Sequence, residues 1–396
     1  MITKVNHLRI IILSTFIMLM LNSFALAQYN TASGSEIITI YSEILKEDRE
    51  IIVLLPDDYY TSTKRYPILF ILDAEGETRF NLSVAAYTYY TGIRHLPKMI
   101  IVGIPNTNRT RDISPYKIEQ RKSSGGGEAF LNFINAELIP YIDNNYRSNN
   151  FGILFGGSSA GTFVIYALYS GSDSINACIA NRPALNSTSE ITWDSEIIFE
   201  RMNEFLKTQN CYNKSLYIDY GSREDEYHDP KPIHRLADLI MKKSPESFRF
   251  KIQETEESGY RSAESLANGL LWIFNSWYYS ADSLFINGFR GIKSHVNNLS
   301  DIFNFQIIVA DLLSESELNM FGNRFLERNN IDEAIRLFRY ALEIYSESSD
   351  TYNGLGEALM KAGRNKEAIE VYEKSLQLEP SNENAKEQLK LLKSDD

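Results

Sequence analysis

A serine set among glycines is the first group in this 396-residue chain whose surroundings could do chemistry. Ser159 lies in Phe155-Gly156-Gly157-Ser158-Ser159-Ala160-Gly161, where Gly157, Ser159 and Gly161 form a Gly-x-Ser-x-Gly pattern. An apolar run, Phe151 to Phe155, precedes it and another, Thr162 to Tyr169, follows, so the expected order is strand, tight turn, helix. Glycines let the chain turn sharply and let strand and helix approach, while the serine is held out above the sheet. The chemistry implied is nucleophilic attack on a carbonyl, as in acyl transfer or ester hydrolysis.

A serine hydroxyl attacks usefully only when a base takes its proton, an acid orients the base, and donors receive the oxyanion. Topology places one donor at the N–H of Ala160, the residue after the expected nucleophile. The second should come from the loop that follows the apolar strand Tyr66 to Leu72, at Ala74 or Glu75.

The elements that must position these groups alternate in type. Strand-like runs are expected at Glu36–Ser42, Glu50–Leu55, Tyr66–Leu72, Met99–Ile104, Ile153–Phe155, Asn176–Ala180, Ser215–Tyr220 and Phe248–Ile252. Helices are expected at Glu128–Asn145, Thr162–Tyr169, Pro232–Lys242 and Ser262–Tyr278, the first carrying Phe130, Phe133, Ile134, Leu138 and Ile142 on one stripe. The alternation implies an α/β sheet with helices on both faces. From about Ser280 the strand-like runs stop and an all-α region begins.

That region contains a repeat. Gly322 and Gly356 are 34 positions apart, and with them recur Phe321 and Leu355, Phe325 and Leu359, Ala334 and Ala368, Phe338 and Tyr372. Tyr352, Leu355, Gly356, Ala368, Tyr372 and Pro380 match a tetratricopeptide unit, and the first unit has Ser346 where the proline would fall. Two repeats are too few to stand alone, so they should lean on the preceding helical stretch or on the sheet domain. They suggest a surface for a protein partner, or a structural cap.

Several ordered segments carry a resemblance. Tyr66-Pro67-Ile68-Leu69-Phe70-Ile71-Leu72-Asp73, Asn108-Arg109-Thr110-Arg111-Asp112-Ile113-Ser114-Pro115, and Gly125-Gly126-Gly127 with Glu137-Leu138-Ile139-Pro140-Tyr141-Ile142 are similar to the "putative esterase" family of α/β hydrolases. That family includes siderophore esterases, feruloyl esterases and mycolyl-transferase-like enzymes. The resemblance implies an α/β-hydrolase sheet over roughly 35–279; the repeat and the end of the strand-like runs mark a helical linker at 280–314 and two tetratricopeptide-like repeats at 315–392. It also implies an acid in Gly221-Ser222-Arg223-Glu224, which points to Glu224, with Asp225 as the alternative and a solvated acidic turn as the blander reading. The family's basic histidine should stand in Glu256-Glu257-Ser258-Gly259-Tyr260, where Ser258 occupies its place. A serine does not accept a proton near neutral pH. His228 could serve from a displaced position while preserving the order serine, acid, histidine, whereas His234 reads as a surface helix residue and His295 lies beyond the domain. Ser158 stands where the family usually has a histidine before the nucleophile.

Other features bound the function. Lys4 and Arg9 precede an apolar stretch that ends in Ala25-Leu26-Ala27, the pattern of a cleavable export signal over 1–27, so an exported, periplasmic or secreted protein with no membrane span after cleavage is expected. A formal charge of −12 argues against nucleic acid as a partner. Cys178 and Cys211 form no metal-ligand spacing, and neither a metal nor a cofactor is expected. Arg109 and Arg111 could bind an anionic group of a substrate or fix their loop by ion pairs, and Trp193 could line a pocket or pack. Two readings follow: a serine esterase acting on a small-molecule ester through Ser159, Glu224 and His228, or a catalytically impaired hydrolase scaffold that binds a ligand or protein.

Overall fold

In the computed structural model, residues 34–75, 77–119, 121–185, 195–222, 229–255 and 262–394 are described. The expected export signal, and Trp193, Glu224, Asp225, His228 and Ser258, lie outside them. Eight strands, β1 (Glu36–Ser42), β2 (Glu47–Leu54), β3 (Tyr66–Leu72), β4 (Ile100–Ile104), β5 (Ser148–Gly157), β6 (Ile175–Asn181), β7 (Ser215–Gly221) and β8 (Arg249–Thr255), form one sheet in the order β1-β2-β4-β3-β5-β6-β7-β8. The first two pairings, β1 with β2 and β2 with β4, are antiparallel, and the remainder are parallel. Strand order reverses between β3 and β5. In an open α/β sheet the crevice outside the carboxyl ends at such a reversal is where ligands bind.

Alternation along the strands makes two cores. Phe70, Val102, Leu154, Cys178 and Ile218 face one layer, packed by helices that include Ser159–Tyr169 and Lys231–Lys243. Leu69, Ile71, Ile101, Ile153, Phe155 and Ile179 face the other, covered by helices Glu77–Gly92 and Ser262–Ile273 and by the tail. Both faces are therefore buried, which is why β3 and β4 read as unbroken apolar runs. The expected helix Glu128–Asn145 is interrupted by a π turn at Ile134–Leu138. Pro140 lies two residues beyond it; it offers no N–H to an α ladder, and the wider turn accommodates it.

The helical tail shares its core with the sheet domain. Phe151 on β5 meets Phe274, Phe303 and Phe305, with ring centroids 6.0, 5.6 and 5.7 Å away. Polar contacts reinforce the seam: Lys64 Nζ donates to Ala310 O at 2.8 Å and lies 3.8 Å from Asp311, and Arg94 pairs with Glu317. Two repeats follow, helices Glu315–Glu327 with Ile331–Ile344 and Ser349–Lys361 with Asn365–Leu378. In each pair a glycine of the first helix lies against an aromatic ring of the second, Gly322 on Phe338 and Gly356 on Tyr372. The repeats thus lean on both the preceding helix and the sheet. No helix among the described residues is long and apolar enough to cross a membrane.

A methyl group at Gly356 would sit 2.6 Å from the ring of Tyr372, which is buried and has little room to move. Gly356→Ala is expected to lower unfolding free energy by about 1–3 kcal/mol. Urea titration should show an earlier midpoint at unchanged slope; an unmoved midpoint would contradict the close packing described.

Candidate active site

Strand β5 leaves the sheet at Gly157, and the next residue, Ser158, takes φ 57° and ψ −125° before helix Ser159–Tyr169 begins. A side chain makes this conformation unfavourable by about 1–3 kcal/mol, so it persists only where neighbours impose it. Here they do. The Ser158 N–H donates to Asn181 O at 2.9 Å, and Ser158 O accepts the N–H groups of Thr162 at 3.1 Å and Ala184 at 3.2 Å. Thr162 Oγ1 in turn donates to Ala184 O at 2.9 Å, tying the loop after β6 to the helix. Both peptide groups flanking Ser158 are held.

This moves the elbow one residue from its expected place. Ser159 is the first residue of the helix, and the corner falls at Ser158, in the frame Gly156-x-Ser158-x-Ala160-Gly161. Contacts of the flanking residues agree with that frame. A Cβ at Gly156 would lie 2.8 Å from Ala160 O, and one at Gly161 would lie 3.0 Å from Asn181 O and 3.1 Å from Gly156 O. Ala160 itself is buried. Ser158 and Ser159 are both partly exposed, and the N–H groups of Ser159 and Ala160 have no partner among the described residues, as expected of a helix's first turn.

The loop after β3 completes the crevice. Asp73 has φ 55° and is gripped by Arg109, whose Nε and Nη2 reach its two oxygens at 2.8 Å each, and by Asn106 Nδ2 at 2.7 Å. The Ala74 N–H donates to Ile104 O at 3.3 Å, so this expected oxyanion donor is already engaged in joining β3 to β4. Glu75 receives the Asn106 N–H on its carboxylate at 2.8 Å, and its own backbone N–H has no partner among the described residues. Between the ends of β3 and β5, a narrow cavity of about 20 Å³ is lined by Leu72, Asp73, Phe80, Phe155, Gly157 and Ser262.

Arg111 is not brought to this crevice. Its guanidinium binds Glu47 at 2.5 and 2.9 Å and Asp112 at 2.7 Å, beside a fully buried Arg49–Asp112 pair at 2.7 Å. Those charges anchor the loop to β2, and a buried pair broken on one side is strongly destabilising. A larger cavity of about 630 Å³ opens at the amino edge of the sheet, among Tyr66, Leu96, Trp277, Asp311 and Tyr345. The 7 residues of β3, rising about 3.3 Å each, keep it roughly 20 Å from the elbow. It is a separate feature of the sheet–tail seam. Among the described histidines, His95 stacks on Tyr278, His234 packs edge-on to Tyr220 and His295 lies against Tyr279; none hydrogen-bonds to Ser158 or Ser159.

Two residues that no motif marks sit beside the elbow. Asp219, near the end of β7, is buried; Oδ1 accepts the Arg182 N–H at 3.2 Å and Oδ2 accepts Asn181 Nδ2 at 3.3 Å. Arg182 takes φ 42°, and its guanidinium lies over Gly221 and reaches Thr255 Oγ1 at 3.4 Å. The available signals were a lone acid inside the apolar run Leu216 to Tyr220 and an Asn-Arg-Pro step closing another.

Burial pushes the Asp219 carboxyl up to about 6 from its ordinary 3.8, against the opposing pull of its hydrogen-bond donors. Because the folded chain holds this proton more tightly than the unfolded one, the stability it contributes is full below pH 3.8 and is lost as pH rises through about 6. The stability difference between wild type and Asp219→Asn should therefore change by about 2 kcal/mol between pH 4.5 and 7.5, in the sense that the wild type gains at low pH. Denaturant titration at the two pH values measures it, and parallel pH profiles would contradict the assignment.

Comparison with known proteins agrees with this geometry. The family model described as "Putative esterase" matches residues 42–273, and a tetratricopeptide-repeat model matches 319–383. A siderophore triacetylfusarinine C esterase of Aspergillus fumigatus is 24% identical over 200 residues, 46% of this chain and 64% of that protein. The ferri-bacillibactin esterase BesA of Bacillus subtilis is 28% identical over 105 residues, 26% of this chain. The chain thus spans 64% and 34% of the lengths of these curated relatives. An IroE-like serine hydrolase from Shewanella oneidensis superposes with a TM-score of 0.64 at 22% identity, covering 78% of this chain and 99% of the other. A protein from Capnocytophaga ochracea superposes at 0.65 with 17% identity, covering 91% and 99%, and these likenesses show a common fold. With its sheet, its elbow and more than half its length matched, the chain belongs to the "putative esterase" family and carries tetratricopeptide repeats at its carboxyl end.

Proposed function

We propose that this protein is an ester hydrolase whose nucleophile is Ser158. The observation that carries the reading is the strained backbone of Ser158 at the carboxyl end of β5, clamped on both sides at the reversal of strand order. Ser158 Oγ would attack the acyl carbon while a base takes its proton; the carbonyl oxygen, now negative, would receive the N–H groups of Ser159 and Glu75. The alcohol leaves with the proton from the base, and water then releases the acid from the serine. His228 and Glu224 remain the candidate base and acid. Arg109 acts by fixing Asp73 and the Glu75 loop, with part of its side chain open to a substrate.

One of the curated relatives is named for the siderophore triacetylfusarinine C and the other for ferri-bacillibactin, so siderophore esters are the substrate class proposed. On the strength of residues 1–27 the protein would act outside the cytoplasm, with the repeats offering a surface to a protein partner. One observation favours a second reading, a binding scaffold without turnover: Ser258 stands where the family carries its histidine.

With p-nitrophenyl butyrate and a siderophore ester as substrates, Ser158→Ala should lower kcat by about 10³-fold or more, and Ser159→Ala by less than about tenfold. His228→Ala should fall with Ser158→Ala. Loss confined to Ser159→Ala would restore the other register. Absence of turnover by the wild type on every ester tried would favour the scaffold.

A further inference from the structure

The sheet places Gly157, Asn181 and Asp219 side by side across β5, β6 and β7, as direct register partners. Ser158 follows the first of them, and the second supplies the carbonyl that receives its N–H. The third is a buried acid on the face of β7 that also carries the buried Tyr217, while Leu216, Ile218 and Tyr220 point to the opposite layer. An aliphatic side chain would pack there without the unfavourable burial of a carboxylate. The acid must be doing something an apolar group cannot.

Its hydrogen bonds show what that is. Oδ1 and the backbone carbonyl of Asp219 both accept the Arg182 N–H, at 3.2 and 2.9 Å, holding Arg182 in a left-handed turn. Oδ2 accepts the Asn181 side-chain nitrogen at 3.3 Å, while Asn181 Oδ1 is buried with no partner among the described residues, so the carboxylate orients that amide. Asn181 and Arg182 are thus anchored by one side chain. From that anchor the chain runs through Pro183 to Ala184, whose N–H reaches Ser158 O. The two bonds that bracket the strained residue, from Ser158 N–H to Asn181 O and from Ala184 N–H to Ser158 O, therefore belong to a loop whose turn is set by Asp219.

We propose that Asp219 is a positioning residue for the reaction: without touching substrate, it holds the Asn181–Ala184 loop in the shape that keeps Ser158 in its elbow conformation. The proposal rests on the reading of Ser158 as nucleophile for its kinetic consequence, but its structural consequence is independent of that reading. When the anchor is removed, the loop slackens, and Ser158 relaxes toward an ordinary backbone. Its hydroxyl then leaves the line of attack more often than it occupies it. Substrate contacts made elsewhere in the crevice are unaffected, so the effect falls on kcat.

The test compares wild type, Asp219→Ala, Asp219→Asn and, as a control destabilised far from the elbow, Gly356→Ala. Two measurements are made on the full-length protein: kcat and KM with p-nitrophenyl butyrate, and amide hydrogen exchange of the peptides holding Ser158 and Ala184. Asp219→Ala should lower kcat by about 10- to 100-fold with KM within about twofold, and should speed exchange at both amides by a similar factor. Asp219→Asn, which keeps an acceptor oxygen for the Arg182 N–H, should recover part of both effects. Gly356→Ala should change neither. Unchanged exchange at Ser158 and Ala184 in Asp219→Ala would overturn the proposal, as would a kcat loss matched by Gly356→Ala. If the wild type shows no turnover, the nucleophile assignment fails, and the exchange result still decides whether Asp219 sets the loop.

Discussion

Everything at this site depends on one residue being held where an L-amino acid does not rest unaided. The two peptide groups around Ser158 are gripped by a carbonyl at Asn181, the end of the neighbouring strand, and by an N–H at Ala184 in the loop after it, with the helix's own Thr162 closing the third side. Strand and helix can meet this tightly because Gly156 and Gly161 have no side chains to intrude on Ala160 and Asn181. Strain of about 1–3 kcal/mol is sustained by packing that has no cheaper arrangement. The result is a hydroxyl presented at a sheet edge, with the first N–H groups of a helix beside it.

The rest of the fold keeps that edge rigid. Apolar layers bury both faces of β3, β5 and β6, and the tail extends one of those layers instead of forming a domain of its own. Phe151 shows the coupling: it lies on the strand that ends in the elbow, and its ring contacts are with Phe274 and with two residues of the tail. On the opposite side, the Arg49–Asp112 pair and Arg111 anchor the loop that delivers Arg109 to Asp73. Charge is used here to fix backbone at the mouth of the crevice, and the same device recurs inside it at Asp219.

Much of this architecture can be read from the chain. Continuous apolar runs such as Tyr66–Leu72 mark central strands because both of their faces are covered, and the tail is legible because Gly322 with Phe338 and Gly356 with Tyr372 repeat the same glycine–ring contact. The elbow is legible only to within a residue. Gly-x-Ser-x-Gly fits only Gly157-Ser159-Gly161, whereas the strained corner falls at Ser158, whose frame Gly156-x-Ser158-x-Ala160 ends in alanine. Helix Glu77–Gly92 is not legible in the chain, since its Tyr, Thr and Val content resembles a strand and it takes its helicity from packing on the sheet. Asp219 is hidden for a related reason: a single acid in a strand announces itself only when its partners on the next strand are known.

The central claim is that the reactive hydroxyl is the one at the strained corner. Treating the protein with a fluorophosphonate and locating the adduct by fragmentation of the peptide spanning residues 151–169 tests it directly. The account predicts modification at Ser158; an adduct confined to Ser159 would contradict it.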